Sequence, residues 1–274
     1  MTIASEITAL QTNLSAAKTA VTTKGGTVGD TGLAGLASEI ATIPSGSAGS
    51  WGTVTYLDSN DQERTVTIQN EDEYYLLCKY GSDITIGGET FNLERITKVD
   101  LGTYATFTDT GFLRNCTLLT SITGVEHLVS VSNNFLSGCT LLNCVLNFEM
   151  LHNCGGNFLY NCSSLNSEVT LPNISSIANF FMAGCTSFAQ TMTFRSELTF
   201  IGNNIFNDAK SLNHIVCNCN PDVIGTSAYS FSTPDNTAPM YTTGITVTGT
   251  YASEFKAKFP DSSSSPYRKI IVGS

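Results

Sequence analysis

Apolar residues recur through the middle of the chain with a period of 23 residues. The stretch NFLSGCTLL at 134–142 returns almost unchanged as NFLYNCSSL at 157–165. In four successive units an aromatic residue lies four positions before a cysteine, and a large apolar residue lies three positions after it. These repeat-core positions are Phe112, Cys116, Leu119, Phe135, Cys139, Leu142, Phe158, Cys162, Leu165, Phe181, Cys185 and Phe188. A fixed period of this length predicts stacked structural units.

Each unit also contains a short alternation of apolar and polar residues, such as Val169 and Leu171 or Met192 and Phe194. Alternation with a period of two is typical of a β-strand. One unit has too few apolar positions to close a core alone, whereas stacked coils bury the same positions against each other. The pattern therefore predicts a mainly β solenoid. The last unit is one residue longer, and we expect a loop between Phe194 and Leu198 to contain the addition.

The recurrent cysteine has two possible interpretations. Free cysteine is among the most buried residue types, so it suits a tight interior corner that is repeated in every coil. A metal or redox site needs ligands that converge on one point, whereas one cysteine per coil forms a line with a spacing of about 4.8 Å. We therefore favour the packing interpretation.

The first 45 residues have a helical pattern. Apolar residues are separated by alternating steps of three and four, which is the heptad seam of a coiled coil, and a shorter amphipathic stretch, 33–43, ends before Pro44. Either the two helices fold on each other or the seam joins several chains, most simply three, and we favour assembly. The predicted seam is Ile3, Ile7, Leu10, Leu14, Ala17 and Val21.

Two smaller segments flank the repeats. Thr53–Leu57 and Arg64–Gln69 predict the arms of a β-hairpin, and DITIGGETFNL predicts a second hairpin, so a small β module caps the first coil. Near the C-terminus, Thr250 is a candidate N-cap of a helix that stops at Pro260, and the strand YRKIIV follows. The predicted domains are a helical segment 1–45, a linker and β module 46–95, a solenoid 96–220 and a helix-strand cap 221–274.

Charge narrows the classes of partner. The chain has 274 residues with 13 Lys and Arg against 23 Asp and Glu, a net charge of -10. This balance disfavours nucleic acid and anionic membranes, because binding to phosphates depends on basic residues. A window of eighteen apolar residues and a signal-peptide pattern are both missing, so we expect no membrane insertion and folding in the cytoplasm. Nine cysteines in such a chain argue against a disulfide framework.

Candidate chemistry is sparse. The sequence HIVCNC places His214, Cys217 and Cys219 close together, which could contribute to a zinc site, although strand alternation would equally direct both thiols into the core. The glycine-rich NCGGNF at 153–158 lacks the lysine of a phosphate loop and is read as a coil corner. We predict no catalytic, cofactor-binding or metal-binding residues, no cofactor, and a protein that is not an enzyme.

The repeats resemble a known family. NNFLSGCTLLNCVLNF and FFMAGCTSFAQTMTF are similar to the BspA-type leucine-rich repeats of bacterial surface and phage proteins, over about residues 90 to 220. Leu171-Pro172 matches the end of the family's short strand, a feature that most of the other copies lack. The resemblance implies a leucine-rich repeat solenoid, closed after the last coil by a short helix and strand.

The first 43 residues are similar to N-terminal segments of tailed-phage fibres and other virion proteins. The two resemblances together imply a virion structural or adhesion protein of the tail-fibre or head-fibre type, assembled in the host cytoplasm. Its N-terminus would bind other virion proteins, and its solenoid would bind a host-surface glycan or protein. The alternatives are a bacterial BspA-like surface adhesin and, less favoured, a polysaccharide-acting enzyme.

Overall fold

A computed structural model describes residues 50–223, 244–258 and 270–272. Within these residues the protein is a mainly β solenoid of five coils, as the repeat predicts. The predicted helical segment and its seam lie outside the described residues. The strands are β1 (Thr53–Leu57), β2 (Glu63–Thr67), β3 (Asp83–Ile86), β4 (Glu89–Asn92), β5 (Ile96–Asp100), β6 (Phe107–Thr108), β7 (Ser121–Thr123), β8 (Ser130–Val131), β9 (Leu146–Asn147), β10 (Asn153–Cys154), β11 (Val169–Thr170), β12 (Ser176–Ile177), β13 (Thr191–Phe194), β14 (Phe200–Ile201), β15 (His214–Cys217), β16 (Ile245–Val247) and β17 (Ile270–Val272). The helices are α1 (Glu71–Tyr75) and α2 (Ala252–Lys258).

One side of the solenoid is a parallel sheet of five two-residue strands, in the order β14-β12-β10-β8-β6. We call its outward surface the ladder face. Thr108, Val131, Cys154, Ile177 and Ile201 occupy the same inward position on successive coils and are buried. The pairing interval is 23 residues except between β12 and β14, where Ile177 pairs with Ile201 at 24, as expected for the longer last unit.

A second side carries three further sets of parallel strands: β5 with β7, β9 with β11, and β13 with β15, β16 and β17. At the N-terminal end the pairing changes direction. Strands β1 and β2 form the first predicted hairpin, and β1 also pairs antiparallel with β5. The second predicted hairpin is β3 and β4. The second arm of the first hairpin ends at Thr67, two residues earlier than predicted, because Gln69 and Asn70 cap α1.

The third side of each coil turns through residues in the left-handed region of the backbone. Asn134, Leu136 and Gly138 have φ of 63°, 53° and 80°. The same alternation recurs in the neighbouring coils. Asparagine and glycine tolerate this region, whereas leucine there is strained and is retained because surrounding packing fixes it. Leu136 has no exposed surface.

Aromatic rings stack through the core along the solenoid axis. The ring centroids of Phe112 and Phe135 are 5.7 Å apart, those of Phe135 and Phe158 are 5.5 Å apart, and those of Phe158 and Phe181 are 5.1 Å apart. We call these four rings the phenylalanine stack. Tyr74 of α1 covers its first ring at 5.3 Å. Offset stacks of this kind contribute stability beyond the burial of apolar area.

The C-terminal helix differs from the prediction in one detail. Thr250 lies inside a 3-10 turn, Gly249–Tyr251, and α2 begins only at Ala252, so Thr250 is not its N-cap. Phe255 on α2 is fully buried. Strand β17 contains the last three residues of YRKIIV and continues the sheet beside β16. Phe259 and Pro260 lie outside the described residues.

Candidate binding surfaces of the solenoid

The repeat-core residues form the scaffold and make no outward surface. All twelve predicted positions have relative exposures of 1% or less. The corner cysteines have a role that the sequence reasoning missed, because their thiols donate hydrogen bonds to the previous coil. Cys139 Sγ is 3.1 Å from the carbonyl oxygen of Leu113, and Cys162 Sγ is 3.2 Å from that of Leu136. The acceptors are the left-handed leucines, so each thiol connects one corner to the next.

Burial makes these thiols poor nucleophiles. It raises the pKa of Cys185 to about 12 and moves the pKa of Cys162 well above its ordinary value. Since the thiolate is the reactive form of cysteine, the row is chemically inert near neutral pH.

The residues of HIVCNC do not converge on a point. His214 lies on the outward side of β15, with Nε2 2.7 Å from Thr246 Oγ1, whereas Cys217 faces the core. The sulfur atoms of Cys217 and Cys219 are 3.0 Å apart, and the hydrogen bond between them, joined by burial, raises the pKa of Cys217. Among residues 50–223, 244–258 and 270–272, no three His, Cys, Asp or Glu side chains are grouped to hold a metal ion.

Acidic side chains of the β module are largely paired. Asp58 accepts a hydrogen bond from Arg64 at 3.1 Å, and Arg95 Nη2 is 2.5 Å from Asp61 Oδ1. A hydrogen bond from the backbone N–H of Gln62, joined by those from Asn60 and the Arg64 side chain, lowers the pKa of Asp58. Tyr56 donates to Glu89, and this bond, joined by burial, raises the pKa of Tyr56 to about 12. These contacts hold the loop after β1 in place. They give its acidic side chains partners within the protein, so no bound ligand is needed to explain them.

Several surface asparagines form hydrogen bonds between neighbouring coils. Asn133 Oδ1 accepts from the backbone N–H of Gly156 at 2.7 Å, and Asn179 Oδ1 accepts from that of Asn203 at 2.8 Å. Asn143 Oδ1 accepts from the N–H groups of Asn166 and Ser167. Outward-facing amides are therefore partly structural, and a binding surface must be sought elsewhere on the coils.

The outward side of β11 and β13 contains a shallow groove with a volume of about 220 Å³. We call it the threonine groove. Its lining is Glu168, Val169, Thr170, Leu171, Pro172, Thr191, Thr193 and Arg195. Three threonine hydroxyl groups line it, together with one acidic, one basic and three apolar residues. A surface of this kind offers hydrogen bonds to a polar ligand.

The ladder face has a different character. Register places Phe107, Ser130, Asn153, Ser176 and Phe200 in one outward row. The two terminal rings are 55% and 51% exposed, although most aromatic side chains of the described residues are buried. Small polar side chains separate them. An exposed aromatic ring at each end of one row is unusual enough to mark a candidate contact surface.

A small pocket adjoins the Phe107 end of this row. It has a volume of about 260 Å³ and is lined by Tyr75, Thr108 and Asp109, and we call it the Thr108 pocket. Thr108 is 5% exposed, and its hydroxyl has no hydrogen-bond partner among the described residues. The carbonyl oxygen of Phe107 accepts from Tyr74 Oη at 3.0 Å, which fixes the start of β6.

The parallel ladders, the inward phenylalanines and cysteines and the 23-residue period are accompanied by a family match. The sequence matches the description "BspA type Leucine rich repeat region" in six copies, over residues 82–166 and 152–252. The chain belongs to the BspA-type leucine-rich repeat family. No curated protein and no solved structure matches it.

Membership of the BspA-type family bears on function at a coarse level. Its repeats are typical of surface or adhesin-like proteins, and leucine-rich repeat solenoids are typical of binding and scaffold proteins rather than enzymes. The match begins at residue 82, inside the β module, and carries no indication of a bacteriophage origin. None of the helices in the described ranges has the length and apolar character needed to cross a bilayer.

Proposed function

We propose that this BspA-type protein is a non-enzymatic adhesion component of a tailed-phage virion, of the tail-fibre or head-fibre type. The contrast between inward and outward rows carries the proposal. Leu146, Val169, Met192 and Ile215 form a buried apolar row, whereas the residues just before them, Val145, Glu168, Thr191 and His214, differ in chemistry from coil to coil. A constant scaffold with a varied outward face suits recognition.

The proposed attachment to the particle rests on the first 45 residues. Their heptad seam supports a homotrimer, and their similarity to virion N-terminal segments supports binding to other virion proteins. Several copies on one particle would strengthen weak individual contacts by avidity. The proposed location is the virion, after assembly in the host cytoplasm.

The proposed target is a glycan or protein of the host surface. A net charge of -10 disfavours nucleic acid and other polyanions as targets, because like charges repel. A bacterial surface adhesin that acts without a virion is the second candidate, and the family match itself favours it.

The native mass of the full chain, compared with that of a chain lacking residues 1–45, tests the assembly. We expect a trimer for the full chain and a folded monomer for the truncation. Antibody labelling of purified particles by electron microscopy then tests the location. A monomeric full chain contradicts the trimer, and particles that lack the protein contradict the virion role.

A further inference from the structure

We propose that the ladder face is a binding site for a neutral, linear oligosaccharide that lies along the solenoid axis. The rings of Phe107 and Phe200 would contact sugar rings near its two ends. This inference rests on the proposed function, because it specifies the chemistry of the host-surface target. It also places recognition on the five-stranded sheet rather than in the threonine groove.

The register of the sheet sets the length of the site. Phe107 and Phe200 occupy the same outward position on the first and last of five adjacent parallel strands. Four strand separations of about 4.8 Å place the two backbones about 19 Å apart. A short oligosaccharide can span this length, whereas a single sugar can contact only one of the two rings.

The row between the rings is low and polar. Ser130, Asn153 and Ser176 offer two hydroxyls and an amide, which can both donate and accept hydrogen bonds. The neighbouring outward row contains Gly155, where an added Cβ would lie 2.6 Å from the backbone of the preceding coil. Small side chains thus keep the surface between the rings open for an extended ligand.

The chemistry of a neutral sugar matches a row that has aromatic rings at its ends and polar side chains between them. A pyranose ring has an apolar face of C–H groups, which packs on an aromatic ring, and a rim of hydroxyl groups, which pairs with serine and asparagine. No charged residue stands in the row from 107 to 200, so a sulfate, phosphate or carboxylate on the glycan would find no ionic partner there. The site is therefore specific for uncharged units.

The Thr108 pocket adds a polar contact at one end of the row. Tyr75 and Asp109 line it, whereas the side chain of Thr108 lies in the inward row and its hydroxyl is enclosed. A sugar hydroxyl in the pocket can donate to the Asp109 carboxylate. This end of the site would fix the direction of the bound chain.

A flat contact with another protein fits these features less well. Protein interfaces concentrate their binding energy in a contiguous, desolvated cluster of anchors. Here the two exposed rings are about 19 Å apart, and hydroxyl and amide groups lie between them.

The test measures binding of the full-length protein to soluble, monovalent neutral oligosaccharides of increasing length by calorimetry, with sialylated and sulfated glycans for comparison. Phe107→Ser and Phe200→Ser copy the serines found in the same row, and Asp109→Ser copies Ser132, the residue 23 positions later in the next coil. Phe180→Asn is the matched control, because it removes an exposed ring that lies outside the row, in the turn after β12, and copies Asn134 and Asn157.

We expect each ring variant to weaken binding by about fivefold to tenfold, the size of one aromatic contact. The Phe180→Asn control should bind like the unchanged protein. Affinity should rise with glycan length up to the span of the row, and Asp109→Ser should weaken binding by removing the acceptor at the pocket end.

Preference for charged glycans, or equal binding by Phe107→Ser, Phe200→Ser and Phe180→Asn, overturns the inference. Binding of the protein to host cells without any binding to neutral glycans also overturns it, while leaving the adhesion function intact. Absence of the protein from particles, with neutral glycan binding retained, has the opposite meaning, since the virion role then fails and the glycan site stands.

Discussion

The corner cysteine combines two properties that few side chains share. It is small and apolar enough for a fully enclosed corner, and its thiol donates to a backbone carbonyl of the preceding coil, as Cys185 does to Leu159 at 3.1 Å. The last coil has Ala209 at the corresponding position, which retains the size but has no donor. The repeated cysteine therefore has two structural roles: it fills the corner, and its thiol donates a hydrogen bond to the preceding coil.

Neighbouring glycines in NCGGNF should respond very differently to alanine. In Gly155→Ala the new Cβ would meet backbone atoms of Ser132 and Asn133 at 2.6 Å, so two coils must separate. In Gly156→Ala the nearest atom is 3.4 Å away. We expect a loss of about 1–3 kcal/mol in the free energy of unfolding for the first and a change of about 0.5 kcal/mol or less for the second. Urea unfolding of both variants measures this, and equal effects would contradict the close approach.

Buried thiols should make stability depend on alkaline pH. Because folding raises the pKa of Cys154 to about 12, its contribution is fully present below the pKa of the unfolded thiol, about 8.5, and is lost progressively as the pH rises towards 12. Each such thiol should cost about 1.4 kcal/mol of unfolding free energy between pH 7.5 and 9.5.

Cys154→Val, which copies Val131 of the adjacent coil, provides the control for this pH dependence. Urea titrations under reducing conditions should show a smaller loss of unfolding free energy for the variant, by about 1.4 kcal/mol between pH 7.5 and 9.5. Parallel profiles for the two proteins would show that this thiol does not ionise on unfolding in that range.

At the scale of elements, the phenylalanine stack and the parallel ladders support one another. Each strand has only two to four residues in the middle coils, too short to be stable alone, while the ring in each coil packs on rings above and below. Ile205 replaces phenylalanine in the last coil, and Phe206 takes over the contact with Phe181 at 6.0 Å. The stack therefore ends by moving the ring one residue along the chain.

Interrupting the stack should be costly. Phe158→Ala removes the ring between Phe135 and Phe181 and leaves a cavity, so the free energy of unfolding should fall by about 3–5 kcal/mol. Phe200→Ala removes a half-exposed ring and should change it by about 0.5 kcal/mol or less. Chemical unfolding monitored by circular dichroism compares the two, and a similar loss in both variants would refute the role of the stack.

Across the described part of the molecule, the β module closes the end of the solenoid. Strand β1 pairs with β5, which itself begins the parallel pairing, and Tyr74 covers Phe112. Open edges of parallel sheets invite association with other chains. The module replaces that edge with a twisted antiparallel hairpin that carries charged residues on β2.

Removing this cover should change the solution behaviour. A chain that begins at residue 96 exposes the β5 edge and the first ring of the stack, and we expect it to aggregate. A chain that begins at residue 50 keeps β1 to β4 and should remain monomeric. Light scattering after size-exclusion chromatography separates these outcomes, and a monodisperse chain from residue 96 would disprove the capping role.

The 23-residue spacing of phenylalanine, cysteine and leucine was sufficient to predict coils and inward rows, because every coil imposes the same packing requirement at the same position. Both hairpins were predicted from local strand patterns on each side of a turn. The outward residues obey no such repetition. Phe107 and Phe200 are four coils apart in the same row, and no short-range signal in the sequence connects them.

The sequence by itself therefore determined the solenoid, its core and its family, since the buried apolar positions recur every 23 residues. Tertiary structure alone decided that thiols reach the carbonyls of the preceding coil, that Thr108 lacks a partner and that two distant rings share one face. The physical reason is that these features depend on the lateral register between coils. Register brings residues 23 or more positions apart into contact, and it is set by the stacking of the coils as a whole.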